Sequence, residues 1–130
     1  MWTFENQPFD APKQDQYGFV YIITNLVTGR QYIGKKLFWF KKTRQVKGKK
    51  KRYLVESDWR DYWGSNDELK RDIEELGIDK FSRAILYLCV NKGECSYQEA
   101  KLHFEHDVLR HADRWYNAWI MVRVHRKHLK

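Results

Sequence analysis

Two cysteines in 130 residues are too few for a disulfide framework. Cys89 and Cys95 have five residues between them, a gap that fits no usual zinc spacing, so both read as reduced thiols: Cys89 in a buried strand and Cys95 in a loop. Proline is as scarce. Pro8 and Pro12 both fall in a polar opening stretch, 1–16, that reads as an extended arm with Trp2 and Phe4 or Phe9 as anchors. No apolar run approaches membrane-spanning length, and the opening MWTFENQPFD lacks a charged-then-apolar signal. That excludes a membrane partner and leaves a cytoplasmic compartment as the expectation. Acid is short too: 17 Asp and Glu face 25 Lys and Arg, for a net charge of +8. Such a balance points to a polyanionic partner, most often nucleic acid.

What is present is a folding sequence. Hydrophobic residues make up 42% and aromatics 16%, with six tryptophans, enough for one domain with its own core. The positive charge is concentrated. Lys41 to Arg52, KKTRQVKGKKKR, holds eight cations and no acid. Phe38, Trp39 and Phe40 precede it and Tyr53 follows, a mixture suited to tracking phosphates and stacking on bases. The run reads as a loop through Gly48, with a helix over 36–42 before it. Lys41, Lys42, Lys47, Lys49, Lys50, Lys51 and Arg52 are its candidate nucleic-acid contacts, and the insertion spans 41–55.

Upstream, YGFVYIITNLVTGRQYIGKK (17–36) has two apolar runs, Phe19–Thr24 and Gln31–Ile33, around a turn ending in Thr28-Gly29. It reads as a β-hairpin with Tyr21 and Tyr32 near one another, the register left open. Lys35 and Lys36 follow directly and are positioned to face a phosphate. Downstream, Ser57 reads as the cap of a short helix ending at Gly64. Ser65 and Glu68 read as the capping box of a second helix that Gly77 stops. Phe81 to Val90 reads as a central strand buried on both faces.

Ser96 and Glu99 form another capping box, opening a helix from Tyr97 to about His111. Projected at ~100° per residue, Tyr97, Ala100, Phe104 and Val108 share an apolar face. Glu105 falls within that zone, whereas Glu99, His103 and His106 fall towards solvent. A carboxylate set in an apolar face needs a cation, a metal or donors. Ala118 to Val124 has strand character, and the chain closes on a basic extension, 118–130.

Val20-Tyr21, ten intervening residues and Tyr32-Ile33-Gly34 resemble the signature of the GIY-YIG nuclease superfamily. The first triplet here is Phe19-Val20-Tyr21, and the second is a literal match. A helix with a metal-binding glutamate, followed about three turns later by a Tyr-Asn pair, is similar to Glu105 with Tyr116-Asn117. The resemblance covers 18–117 and is greatest to phage-encoded, Seg-type free-standing homing endonucleases. It implies an α+β fold with a three-stranded, mainly antiparallel sheet flanked by helices, in a domain spanning 17–117. It also implies DNA endonuclease activity dependent on Mg²⁺ (or Mn²⁺), acting on double-stranded DNA as a monomer or homodimer, with RNA also open. The family's catalytic arginine has no direct counterpart; Lys42 holds its place, and Arg44 and Arg60 are the two candidates.

In that chemistry Glu105 holds the metal, Tyr21 is the favoured general base, Tyr32 orients and Asn117 braces the site. Phenols ionise near pH 10, so nearby cations are expected to lower the base. Two other classes of reading share the charge pattern. One is a catalytically silent nucleic-acid-binding module of the same fold. The other is a nuclease whose basic run docks a protein partner.

Overall fold

The computed structural model describes residues 1–129; Lys130, the last residue of the basic extension, lies outside them. Seven strands and two α-helices follow one another as β1 (Trp2–Phe4), β2 (Gln7–Pro8), β3 (Gly18–Asn25), β4 (Gln31–Leu37), β5 (Trp39–Val46), β6 (Lys49–Glu56), α1 (Asp67–Leu76), β7 (Phe81–Cys89) and α2 (Lys92–Glu105). Five of the strands form one sheet in the order β2-β1-β7-β3-β4, and β5 and β6 pair by themselves. The expected three-stranded sheet is therefore a five-stranded mixed one. Its antiparallel centre is β7-β3-β4, and β1 adds to β7 in parallel. Among the described residues no helix is long and apolar enough to cross a membrane.

β3 is the keystone because its β-branched and aromatic residues suit a strand flanked on both sides. Its end is fixed by Asn25, whose buried Oδ1 accepts from the backbone N–H of Val27 (2.9 Å) and Thr28 (3.1 Å). Gly29, at φ +80°, then turns the chain into β4, as the sequence pattern indicated. Alternate β3 side chains feed two cores. Phe19, Tyr21 and Ile23 pack with Phe38, Trp59, Leu69 and Tyr116 on the α1 side. Val20 packs with Ile33, Cys89, Cys95, Val108 and Trp115 on the α2 side.

The opening residues belong to the sheet. Trp2 is 2% exposed, lies edge-on to Phe19 and Tyr21, and donates its indole N–H to the Trp59 carbonyl at 2.7 Å. Arg83 of β7 lies under the rings of Trp2 and Trp63 and donates to the Arg60 and Tyr62 carbonyls. It thereby pins the 59–62 turn to the tyrosine side of the sheet.

Several local expectations change. The segment 36–42 is strand, and the basic run is a hairpin, not a loop: β5 and β6 pair in register from Trp39↔Glu56 to Val46↔Lys49. Lys47 (φ +51°) and Gly48 (φ +76°) form its two-residue turn, the positive-φ pair that a tight hairpin requires. Helix α1 is capped by Asn66, which accepts from the Leu69 N–H, while Glu68 pairs with Arg30 at 2.8 Å. Helix α2 begins a turn earlier than expected, capped by Asn91, and ends at Glu105. Cys95 is helical and buried, so both thiols are interior and free. The central place of β7 holds, but Leu86 and Tyr87 are partly exposed beside a bulge in its pairing with β3. Residues 118–124 form no strand.

Candidate active site

β4 is the edge of the five-stranded sheet, and a returning segment closes on it. Gln31 and Trp115 form a parallel bridge, with the Gln31 N–H donating to the Arg114 carbonyl and the Tyr116 N–H to the Gln31 carbonyl, both at 2.8 Å. Asn117 continues the pairing with its side chain. Its Nδ2 donates to the Ile33 carbonyl at 2.8 Å, and its Oδ1 accepts from the Ile33 N–H at 3.1 Å. The amide thus substitutes for a peptide group along an open edge. His103, 4% exposed, brings Nε2 within 2.9 Å of the same carbonyl. A carbonyl can only accept, so Nε2 carries the proton; Nδ1 is buried without a partner. Tyr116 is braced separately, donating to Asp72 at 2.6 Å and accepting from Asn25 at 3.0 Å.

The register settles the relation of the two tyrosines. Tyr21 lies opposite Gly34, and Tyr32 opposite Ile23, so both phenols share a face on a diagonal, with ring centres 6.2 Å apart. Gly34 is glycine for a steric reason: a Cβ there would run into the Tyr21 hydroxyl and ring. The two phenols differ in access. Tyr21 is 1% exposed, and burial, followed by the neighbouring Tyr32 and Tyr62 phenols, raises its pKa well above the ordinary 10. Tyr32 is half-buried and contacts Ser65 Oγ at 3.3 Å. Burial raises its pKa too, and the bond to Ser65 opposes that.

Tyr32 forms one wall of a cleft of about 400 Å³ lined by Ser65, Asn66, Glu99, His103, Asn117, Ala118, Trp119 and Met121. The carboxylate in this cleft is Glu99. It lies mid-helix on α2, its side chain 15% exposed, and meets Lys35 Nζ at 3.5 Å. Lys35 also donates to Ser96 Oγ at 3.1 Å. Glu105 stands outside the group, 54% exposed, beside Lys101 at 3.9 Å. The helix projection erred because α2 buries Cys95, Ala100 and His103 and leaves Phe104 and Tyr97 exposed. Cys95, Glu99 and His103 at successive i, i+4 positions were the usable signal; a small thiol and a histidine mark a buried face less plainly than two aromatics do.

Neither candidate arginine reaches the cleft wall. Arg44 lies on the β5–β6 hairpin, its guanidinium 5.5 Å from the centre of the Tyr53 ring. Arg60 is held by Glu56 at 2.8 Å, by the Asp10 carbonyl and over the Trp59 ring. The cations beside the tyrosines are lysines: Lys35, and Lys36 on the Tyr32 face. Lys36 Nζ lies 4.2 Å from the centre of the Tyr62 ring and 2.6 Å from Asp58, whose carboxyl it holds below the usual range. Of the sequence-derived candidates, Tyr32 and Asn117 line the cleft, and Tyr21 and Lys35 adjoin its residues. The cations from Lys41 to Arg52 lie on the separate hairpin.

Among the described residues no group of three or more His, Cys, Asp or Glu side chains is arranged to hold a metal. Zinc, which takes three or four protein ligands, does not fit. One carboxylate opening on a roomy cleft does fit Mg²⁺ or Mn²⁺, which retain most of their waters.

Two tyrosines on paired strands beside a Tyr-Ile-Gly edge, with a helical glutamate and an asparagine locked to that edge, agree with the GIY-YIG class that the chain's sequence resembles. Within that class the chain belongs to the family described as "Putative endonuclease segE, GIY-YIG domain", whose model matches residues 2–120. The match begins in β1 and so includes the stretch that the sequence suggested was a separate arm. No curated protein and no solved structure matches the chain.

Proposed function

We propose that this protein is a metal-dependent endonuclease that hydrolyses phosphodiester bonds of double-stranded DNA in the Tyr32–Glu99 cleft. The observation that carries the reading is the convergence of Tyr32, Glu99 and Asn117 on one cleft at the sheet edge, in a chain of GIY-YIG membership. The products are a 5′-phosphate and a 3′-hydroxyl. Water adds to phosphorus and gives a proton to a base, the bond to the 3′ oxygen breaks, and the departing 3′ oxygen takes a proton from solvent.

Tyr32 is the better placed base, because its phenol borders the cleft whereas Tyr21 lies behind it. Tyr21 then fixes the Tyr32 ring and the close approach at Gly34. Ser65 orients the Tyr32 hydroxyl, and Asn117 holds the β4 edge against which both act. Lys35 positions Glu99 and adds positive charge where a phosphate would lie. Glu99 would hold the Mg²⁺ or Mn²⁺, which supplies Lewis-acid stabilisation of the leaving oxygen. The likeness to Seg-type endonucleases carries the further reading of a homing role.

The test is cleavage of supercoiled plasmid by the purified protein, with Mg²⁺ and with EDTA, comparing wild type and Tyr32→Phe. The expected result is metal-dependent cutting that falls about 10²- to 10⁴-fold in the variant, the usual contribution of a positioned general base. Binding without cutting by the wild type, across varied DNA, would replace this reading with a silent binding module.

A further inference from the structure

The β5–β6 hairpin contributes nothing to the cleft and little to the core. Residues 40–45 and 47–54 are all exposed, so both faces of the ribbon are solvated. A lone two-stranded ribbon is marginal in water. This one also sets Arg44 directly opposite Lys51, a like-charge pair that weakens it further. Eight cations with no acid between Lys41 and Arg52 therefore cost stability and are complementary only to an anion.

The two faces are chemically unlike. Strand alternation places Thr43, Gln45, Lys50 and Arg52 on one, paired as Thr43↔Arg52 and Gln45↔Lys50. The other carries Lys42, Arg44, Lys49 and Lys51 with Tyr53. The first face alternates neutral amide and hydroxyl groups with cations. Gln suits the adenine edge, and Arg or Lys suits guanine. The second face is suited to phosphate.

We propose that β5–β6 is a DNA-reading ribbon that lies in the major groove, with Thr43, Gln45, Lys50 and Arg52 towards the base edges. The long cations of the other face reach round to the phosphates along the groove walls. The dimensions agree. Two strands ~4.8 Å apart with their side chains fill a groove ~12 Å wide, and eight residues span ~26 Å, most of one helical turn. The inference rests on DNA being the substrate of the cleft, and it names what positions that cleft on a duplex.

The test uses the whole protein in EDTA, so that binding is read apart from cleavage. Duplexes bound from a randomised 30-bp library are sequenced, and affinity for mixed-sequence duplex is followed against salt. The triple variant Lys42→Ala/Lys49→Ala/Lys51→Ala is expected to weaken binding on all sequences and to flatten the log–log salt slope by about 1 per cation. Gln45→Ala/Arg52→Ala is expected to lose preference at one or two base positions while the salt slope stays close to that of the wild type. Methyl green, a major-groove ligand, should compete, and netropsin in the minor groove should not. Thermal melts of both variants confirm folding, since the substituted side chains are all exposed. Unchanged slopes and preferences, competition by netropsin alone, or equal binding of double-stranded RNA, whose major groove is too narrow for a ribbon, would overturn the proposal. Binding that behaves as expected without any cleavage would overturn the nuclease reading and leave the ribbon standing.

Discussion

Two hairpins stand side by side in this chain, and they spend their residues in opposite ways. β3–β4 and β5–β6 have similar lengths and both close through a glycine at positive φ. The first is buried between two cores and carries both motif tyrosines. The second is solvated on both faces and carries most of the concentrated charge. Aromatic content alone does not separate them, since Phe40 and Tyr53 are as aromatic as Phe19 and Tyr21. The difference lies in what the neighbours offer. β3 has a strand on each side, and β5 has only β6. The lesson is that the fold is built on the first hairpin and any DNA recognition on the second, so damage to each should appear in a different assay.

The sharpest way to break this comparison is to truncate matched rings. Phe19 is fully buried, with ring centres of Phe38 and Trp2 at 4.8 and 5.0 Å. Phe19→Ala should lower unfolding free energy by about 3–5 kcal/mol. Phe40→Ala, in the second hairpin, should change it by less than about 0.5 kcal/mol. Urea denaturation of both variants reads the contrast, and similar losses would show that the second hairpin is part of the folding unit.

The turn and strand glycines refine the same contrast. Gly34→Ala forces a Cβ against the Tyr21 phenol and should cost about 1–3 kcal/mol, as overpacking does, with activity lost beyond the stability effect. Gly48→Ala meets no atom within 4 Å and bears only the strain of φ +76°, about 1–2 kcal/mol confined to the hairpin. Thermal melts with plasmid cutting distinguish the two. A Gly34→Ala protein of normal activity would remove the steric reading of the Tyr-Ile-Gly triplet.

A pH profile probes the cleft itself. Burial raises the Tyr32 pKa, and the active form of a base is the deprotonated one. Below that pKa the phenolate fraction grows with pH, so kcat/KM for cleavage should rise about tenfold per unit between pH 7 and 9, with no plateau in that range. The rise should be absent in Tyr32→Phe. A plateau near neutrality in the wild type would assign the proton to another group.

Much of the fold was legible because its signals are local and strong. The Asn25–Gly29 turn, the apolar run of β3 and the Gly77 stop each rest on chemistry that neighbours within a few residues decide. Strand β1 was not legible, since Trp2-Thr3-Phe4 pairs with the two-residue β2 on one side and, on the other, with β7, some eighty residues away. The basic run misled for a related reason. Its charge density suggests a mobile loop, but Lys47-Gly48 supplies a tight turn and the flanking residues pair across it. That Tyr32 and Asn117 would lie together was legible because a motif carries them. The place of Glu99 in the cleft was not legible because the buried face of α2 is marked by Cys95, Ala100 and His103, whereas Phe104, which points to the other face, is exposed. No spacing rule would have placed Lys36 under Tyr62 while excluding Arg44 and Arg60. That depends on where the 59–62 turn is tied down by Arg83.

The most direct test of the account is metal-dependent plasmid cleavage by wild type, Glu99→Ala and Glu105→Ala, at equal concentration and with folding confirmed by thermal melts. The account predicts that Glu99→Ala loses cutting by at least about 10²-fold, as removal of a positioned charged group at a reacting phosphate does, while Glu105→Ala cuts as the wild type. Loss of cutting in Glu105→Ala with Glu99→Ala still active would contradict it and move the centre to the other face of the helix.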